Sequence, residues 1–449
     1  MNILAKSVCC HAGVSSSRYA RFGLVKRGLS TMTSRLGSAP HTIKGKHILS
    51  SMGFESYYNI RSSIESLIQD MAKREIPTLD YQFLLKYKPT LATTQFSSNQ
   101  QYIMNIQYMN MLLAMTCQQL DLIQKIPYMM LLNPKIELTH SLYLKTLESL
   151  LSCNYPYDLY NQEKMSMIMT QFLNDHEDTL MTLSSGLQEV IDSNNTELNA
   201  NNKTLITNFL NKHLLIRIKM KLLATHYLRL IEQQQQHDIA TQGLTEHIGI
   251  LDSNVNLASL IKHNFEFVID MCHLQYDPHL LPQLRIVQGN DITVSTIPII
   301  LEFIMTEILK NSTRATVEQS MKQKLSSSGS IDVSIFQQKG SLDEVSIKIC
   351  DRGGGIPLSI EPHIYEYSYT TLHNKHEQVQ HSTKVGTTME DAAMNGDVQP
   401  INNTIAGMGF GLPLCKLYLE LFQGNMEIQN LFGYGTDIYL KLQLPVWPK

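Results

Sequence analysis

Glu307-Ile308-Leu309-Lys310-Asn311-Ser312-Thr313-Arg314 and Asp351-Arg352-Gly353-Gly354-Gly355-Ile356-Pro357 are the two stretches on which the fold turns. The first lies inside Ile299 to Ser320, which reads as a helix. On a helix Glu307, Lys310, Asn311 and Arg314 follow at i, i+3, i+4 and i+7 and share one face. Leu301, Ile304, Met305 and Ile308 fall on the opposite face, which would pack on a sheet. Alone, the polar stripe could simply face water. The second stretch follows Val345-Ser346-Ile347-Lys348-Ile349, whose period-two alternation predicts a strand. A carboxylate at the end of a strand can accept a hydrogen bond from an exocyclic ring amine. The glycines after it would let a flat ring approach the backbone. Three glycines in a row also make an ordinary turn.

A third run, Gly407-Met408-Gly409-Phe410-Gly411-Leu412-Pro413-Leu414, opens another helix. Free backbone N–H groups at a helix N-terminus favour phosphate oxygens. By itself this pattern is weak. No Lys-Ser/Thr pair follows it as in a Walker loop, and no strand precedes it as in a dinucleotide-binding unit.

Further strands are predicted at Arg285-Ile286-Val287, Ile292-Thr293-Val294, Ile331 to Ile335, Met426-Glu427-Ile428 and Asp437 to Leu442. Strands on one side and helices on the other make an α/β sandwich over 245–445. Upstream, over 55–240, the pattern is helical. Ile60, Ile64, Leu67, Ile68 and Met71 recur at helical spacing. So do Leu205, Phe209, Leu210, Leu214, Ile218, Leu222 and Leu223. Pro77, Pro89, Asn133-Pro134 and Tyr155-Pro156-Tyr157-Asp158 punctuate a bundle of long helices. Asp192 to Lys203 and Gln233 to Asp238 read as polar connectors.

The first acidic residue of the 449 is Glu55, and eight basic residues precede it. An Arg-rich, Ser-rich, acid-free segment has the composition of a mitochondrial transit peptide, read here over 1–40; a disordered basic tail is the alternative. Cleavage after Arg35 would remove six basic residues, leaving 31 against 40 acidic ones, a net charge of −9. That balance argues against a nucleic-acid binder. No apolar run approaches the roughly 18 residues of a transmembrane helix. Seven scattered cysteines, odd in number and without CxxC, exclude a disulfide scaffold and fit a reducing compartment.

Taken together, the three runs resemble the N, G1 and G2 boxes of the ATPase superfamily shared by gyrase, histidine kinases, MutL proteins and a heat-shock chaperone. The resemblance implies ATP and Mg²⁺ as ligands, with Asn311 as the metal ligand through its amide oxygen. It implies that Asp351 reads adenine, beside Gly353 and Gly355. Gly407, Met408, Gly409, Phe410, Gly411 and Leu412 would wrap the phosphates, under a lid at 373–404. Within that superfamily the details resemble the mitochondrial kinases that phosphorylate the E1 subunit of α-ketoacid dehydrogenase complexes. The runs Glu307 to Glu318, Asp351 to Pro357, Tyr367-Ser368-Tyr369-Thr370-Thr371 and Gly407 to Pro413 carry that likeness. Ile126-Pro127-Tyr128, Asn133 to Ile136, Asp175-His176-Glu177-Asp178 and Phe209 to Tyr227 extend it over 60–444.

By this resemblance Glu307 is the general base and also one of the ATP-binding residues, Lys310 and Arg314 place positive charge near the phosphates, and Thr370 and Thr371 contact the nucleotide. The implied function is a serine/threonine kinase of the mitochondrial matrix that inactivates an E1 subunit, pyruvate before branched-chain. The implied partners are that E1, the lipoyl domain of E2 and a second copy of the chain. Phe303 departs from the pattern, since many pyruvate-type members carry histidine one turn before the glutamate. Phe303 is expected to pack. The branched-chain kinase shows an aromatic residue there. The chain also ends at Lys449, and Val446, not aspartate, precedes Trp447. Two competing readings are a protein-histidine kinase and a nucleotide-gated scaffold without transfer. His176 is expected to lie on a helix surface or beside a carboxylate.

Overall fold

A computed structural model of the protein describes residues 54–87, 97–193, 200–237, 247–273, 275–324, 329–337, 343–367 and 409–446. The transit segment, the lid, Thr370, Thr371, Gly407, Met408 and Trp447 lie outside them.

Among the described residues eight α-helices come first: α1 (Phe54–Ala72), α2 (Tyr81–Leu85), α3 (Ser98–Gln124), α4 (Tyr128–Leu131), α5 (Pro134–Ser152), α6 (Gln162–Asp175), α7 (Thr179–Ser193) and α8 (Ala200–His237). Then follow β1 (His247–Ile248), β2 (Leu251–Asn256), α9 (Leu257–His273), β3 (Gln283–Gln288), β4 (Thr293–Thr296) and α10 (Pro298–Lys322). The chain continues with β5 (Ser330–Gln337), β6 (Glu344–Cys350), α11 (Gly411–Leu421), β7 (Asn425–Leu431) and β8 (Gly435–Gln443). A helical part followed by an α/β part is the architecture expected from the sequence.

The chain divides into two compact units. Of the described residues, those up to 78, from 97 to 193 and from 216 to 237 belong to the first; those from 79 to 87, 200 to 215 and 247 onward belong to the second. In the first unit the helix starts are written in the sequence. Ser97 caps α3, accepting from the Gln100 N–H while the Gln100 side chain accepts from the Ser97 N–H. Asn133 caps α5, with Pro134 in the first turn, where a missing N–H is harmless. Asn161 caps α6 in the same way. The core between these helices is built from Met104, Tyr108, Met109, Leu112, Met115 and Leu120 of α3 against Tyr143, Leu147 and Leu150 of α5. Each such side chain contributes about 1.5–3 kcal/mol by leaving water.

Three expectations need correction. Gln233 to His237 is not a connector: α8 runs through it. Glutamine is a good helix former, and the buried Leu230 and Ile231 tie the preceding turn to the core. The stretch 192–203 is helical at both ends, in α7 and α8. Leu205, placed on the apolar face by its spacing, is exposed.

In the second unit a five-stranded sheet runs in the order β3-β5-β6-β8-β7. Only β3 and β5 are parallel; the other pairs are antiparallel. The register aligns Val333 with Ile349, Ile349 with Ile438, Ile347 with Leu440, and Leu440 with Met426. All of these are buried, so alternation puts one apolar face of the sheet inward. The strands β1, β2 and β4 form a second, antiparallel sheet. The helices α9, α10 and α11 bring the apolar side of the sandwich, including Ile261, Phe265, Leu301, Ile304, Ile308, Leu414 and Tyr418, all buried.

Candidate active site

The helix α10 starts at Pro298 and carries the Glu307 stripe. The stripe does not simply face water. Glu307 and Lys310 are buried, and the Lys310 ammonium donates to Glu307 Oε1 at 2.5 Å. Arg314 is half-buried and pairs with Glu318 at 2.8 Å. Asn311 is exposed. A buried lysine beside a buried carboxylate keeps both charges matched, where either alone would be costly.

One turn before Glu307, Phe303 is buried with its ring tilted against Tyr418, the centroids 5.3 Å apart. It packs, as expected. The position one turn before the glutamate is therefore apolar and carries no titrating group.

Asp351 stands where β6 ends. Its Oδ1 accepts from the Gly353 N–H at 2.9 Å and the Thr436 N–H at 3.2 Å, and its Oδ2 accepts from the Ser312 hydroxyl at 3.1 Å. Burial holds its carboxyl above the usual range; the three donors lower it without cancelling that rise. A carboxylate has about four lone-pair sites, so Oδ2 keeps one acceptor for a further N–H. Gly354 and Gly355 lie in the left-handed region, φ +82° and +72°, which only glycine enters cheaply. At Gly353 a Cβ would come within 2.5 Å of Ala315 Cβ, so the turn lies tight on α10.

The helix α11 begins at Gly411, with Gly409 at φ +77° before it. Phe410, at the N-cap position, gives this helix start no side-chain cap hydrogen bond, and a helix N-terminus is the kind of site that attracts anions. A Cβ on Gly411 would stand 2.2 Å from Glu307 Oε2. Glycine is what lets the helix start approach the carboxylate.

The three segments meet. One cavity of about 740 Å³ is lined by Glu307, Lys310, Asn311 and Arg314, by Asp351, Gly353 and Gly355, and by Gly409, Gly411 and Leu412. Phe410, also expected here, is buried and caps α11, its ring 5.4 Å from that of Tyr367. Ile356, Pro357, Ile428 and Ile438 give the cavity apolar walls. Asp351 lies among these, while Glu307, Lys310 and Asn311 supply the charged side. A flat ring and a polyanion would each find a matching surface.

The motifs did not point to Ser312, Thr436 or Gln319, all of which line the cavity. Ser312 sits inside the first run and could have been noticed. Thr436 acts through its backbone N–H, for which residue type gives no signal.

His176 is neither on a surface nor beside a carboxylate. It is buried, with Nε2 2.7 Å from the Thr146 hydroxyl and Nδ1 3.2 Å from that of Thr179. Burial, then the charges of Arg217 and Lys145, push its pKa down to about 3. An imidazole walled in by Tyr143 and Phe172 is a poor phosphate acceptor.

Residues 78–252 match the family described as mitochondrial branched-chain alpha-ketoacid dehydrogenase kinase, and residues 296–446 match the histidine kinase-, DNA gyrase B- and HSP90-like ATPases. The chain is 40% identical over 400 residues to pyruvate dehydrogenase (acetyl-transferring) kinase 1, mitochondrial, of Saccharomyces cerevisiae, covering 89% of this chain and 92% of the relative. The chain belongs to the mitochondrial α-ketoacid dehydrogenase kinase family. More distant members agree. Isozyme 4 of pyruvate dehydrogenase kinase from Rhinolophus ferrumequinum is 30% identical over 291 residues, 62% of each chain. The Schizosaccharomyces pombe kinase is 27% identical over 293 residues, 65% of this chain and 61% of the relative. The ATPase match contains every residue that lines the cavity.

Among the described residues no helix is long and apolar enough to cross a membrane.

Proposed function

We propose that this protein is a kinase of the mitochondrial matrix that transfers the γ-phosphate of ATP to serine on the E1 subunit of pyruvate dehydrogenase, and so inactivates it. The observation that carries the proposal is the single cavity where Glu307, Asn311, Asp351 and the Gly411 helix start come together.

The roles follow from the chemistry of each group. Asp351 Oδ2 has an acceptor left for the exocyclic amine of adenine, and Gly353 and Gly355 clear the backbone for the ring. The N–H groups at Gly411 and Leu412, with Gly409 and Phe410 before them, receive phosphate oxygens; Gly407 and Met408 would continue that loop, and Thr370 and Thr371 would touch the nucleotide where the lid begins. Lys310 and Arg314 offset phosphate charge. Asn311 fits the sparse protein ligation magnesium prefers: one amide oxygen, exposed on the cavity wall, with phosphates and water left to complete the shell. When bound, Mg²⁺ would neutralise the triphosphate. Glu307, one turn from Asn311, accepts the proton of the serine hydroxyl. Its charge is held in place by Lys310, and phosphoryl transfer needs mainly such positioning.

The branched-chain E1 is the second reading. Phe303 and the description of the family matched by residues 78–252 favour it. The 40% relative named for pyruvate dehydrogenase favours the first. The proposal includes a homodimer that docks on the lipoyl domain of E2. Incubating the protein with labelled Mg-ATP and each E1 separately decides the substrate. Acid-stable label on the pyruvate E1 is expected. Label on the branched-chain E1 alone would install the second reading, and label on neither would remove both.

A further inference from the structure

The exposed Phe432 has no structural duty of its own. It sits at the corner of the β7–β8 hairpin, where the Tyr434 N–H donates to the Leu431 carbonyl at 2.9 Å and Gly433 has φ +88°. That corner position accepts most residue types, so the turn does not ask for an aromatic ring. Phe432 is 64% exposed, yet it lines the nucleotide cavity.

The hairpin is held firmly on the glycine turn that follows Asp351. The Gly354 N–H donates to the Tyr434 carbonyl at 3.1 Å, and the Gly433 N–H to the Gly354 carbonyl at 2.8 Å. Asn430 accepts from the Ile356 N–H at 2.8 Å and donates to its carbonyl at 2.7 Å. Further along the same hairpin the Thr436 N–H reaches Asp351 itself. The element that fixes the carboxylate therefore also presents Phe432. An exposed aromatic residue lining the same cavity as a buried acceptor and the aliphatic Ile428 and Ile438 suits a planar, amine-bearing heterocycle.

We infer that Phe432 is a nucleotide-binding residue that covers the purine ring held by Asp351. The inference rests on the nucleotide reading of the cavity and adds to it the group that closes the base subsite. Base–aromatic contacts removed by alanine substitution typically weaken binding by about tenfold or more.

The test is calorimetric binding of ADP and of tripolyphosphate to the full chain and to F432A, F432W and D351N. For F432A the account expects ADP binding weakened about tenfold with tripolyphosphate binding unchanged. F432W should keep ADP affinity and show an ADP-dependent change in indole fluorescence beyond any given by Trp447, the parent's single tryptophan. Wild-type ADP affinity in F432A, or equal losses for ADP and tripolyphosphate, would overturn the inference while a weakened D351N leaves the base site standing. ADP binding unaffected by D351N would remove the base site and the role of Phe432 with it.

Discussion

Replacing Gly411 by alanine should disable phosphoryl transfer without emptying the nucleotide site. Gly411 is outside the left-handed region, so alanine meets no backbone penalty there. The penalty is steric and falls on one group. The new Cβ would stand 2.2 Å from Glu307 Oε2 and 3.0 Å from Glu307 Cδ. Ordinary contact begins at 3.4 Å, so the carboxylate oxygen must retreat by about 1.2 Å. It cannot retreat freely, because its other oxygen is held by buried Lys310. A displacement of about 1 Å at a reacting group can cost about a hundredfold, or ~2.7 kcal/mol of activation free energy. Folding should change little, since alanine at a backbone position it can adopt restricts the unfolded chain by ~0.4–1 kcal/mol relative to glycine and offsets part of the clash. The assay is the initial rate of label transfer to E1 at saturating Mg-ATP, with ADP affinity and the unfolding midpoint measured on the same preparation. A rate lowered about a hundredfold with ADP affinity kept is the expected outcome. A near-wild-type rate would mean that the position of Glu307 does not govern transfer.

Two further substitutions probe separate parts of the account. Asn311→Ala should abolish the Mg²⁺ dependence of ATP binding and leave the unfolding midpoint unchanged, because Asn311 is exposed; unchanged affinity and Mg²⁺ dependence would sink the metal assignment. His176 is neutral in the fold, with a pKa near 3, against about 6.5 in the unfolded chain. Its stabilising contribution is therefore complete above about pH 6.5 and is lost as the pH falls toward 3, by up to about 1.4 kcal/mol per unit. Urea unfolding between pH 7 and pH 4.5 should show a shallower loss of stability in His176→Gln than in the wild type, and equal slopes would refute it.

How far the sequence could be read depended on whether a contact was local. Glu307, Lys310 and Asn311 share a helix face, and that face follows from spacing alone. The period-two runs at Ile331 and Val345 became β5 and β6 because each alternates cleanly over its length. What escaped were contacts between distant segments. That Gly411 must be glycine because Glu307 lies against it, or that Ser312 holds Asp351, requires two elements to be seen together. The helix α9 was legible in principle, since Leu257, Ile261, Phe265 and Val268 recur at helical spacing and are buried. Gln233 to His237 misled for a different reason. Polarity marks exposure, not the absence of helix, and a long helix can run on past its buried face.

The central claim is that Glu307 performs the transfer in a site whose nucleotide is held by other groups, and Glu307→Gln tests it most directly. The substitution keeps the shape and removes the base. The account predicts that this variant binds Mg-ATP with wild-type affinity while label transfer to the E1 serine falls by about a hundredfold or more. Transfer at the wild-type rate by Glu307→Gln would contradict it.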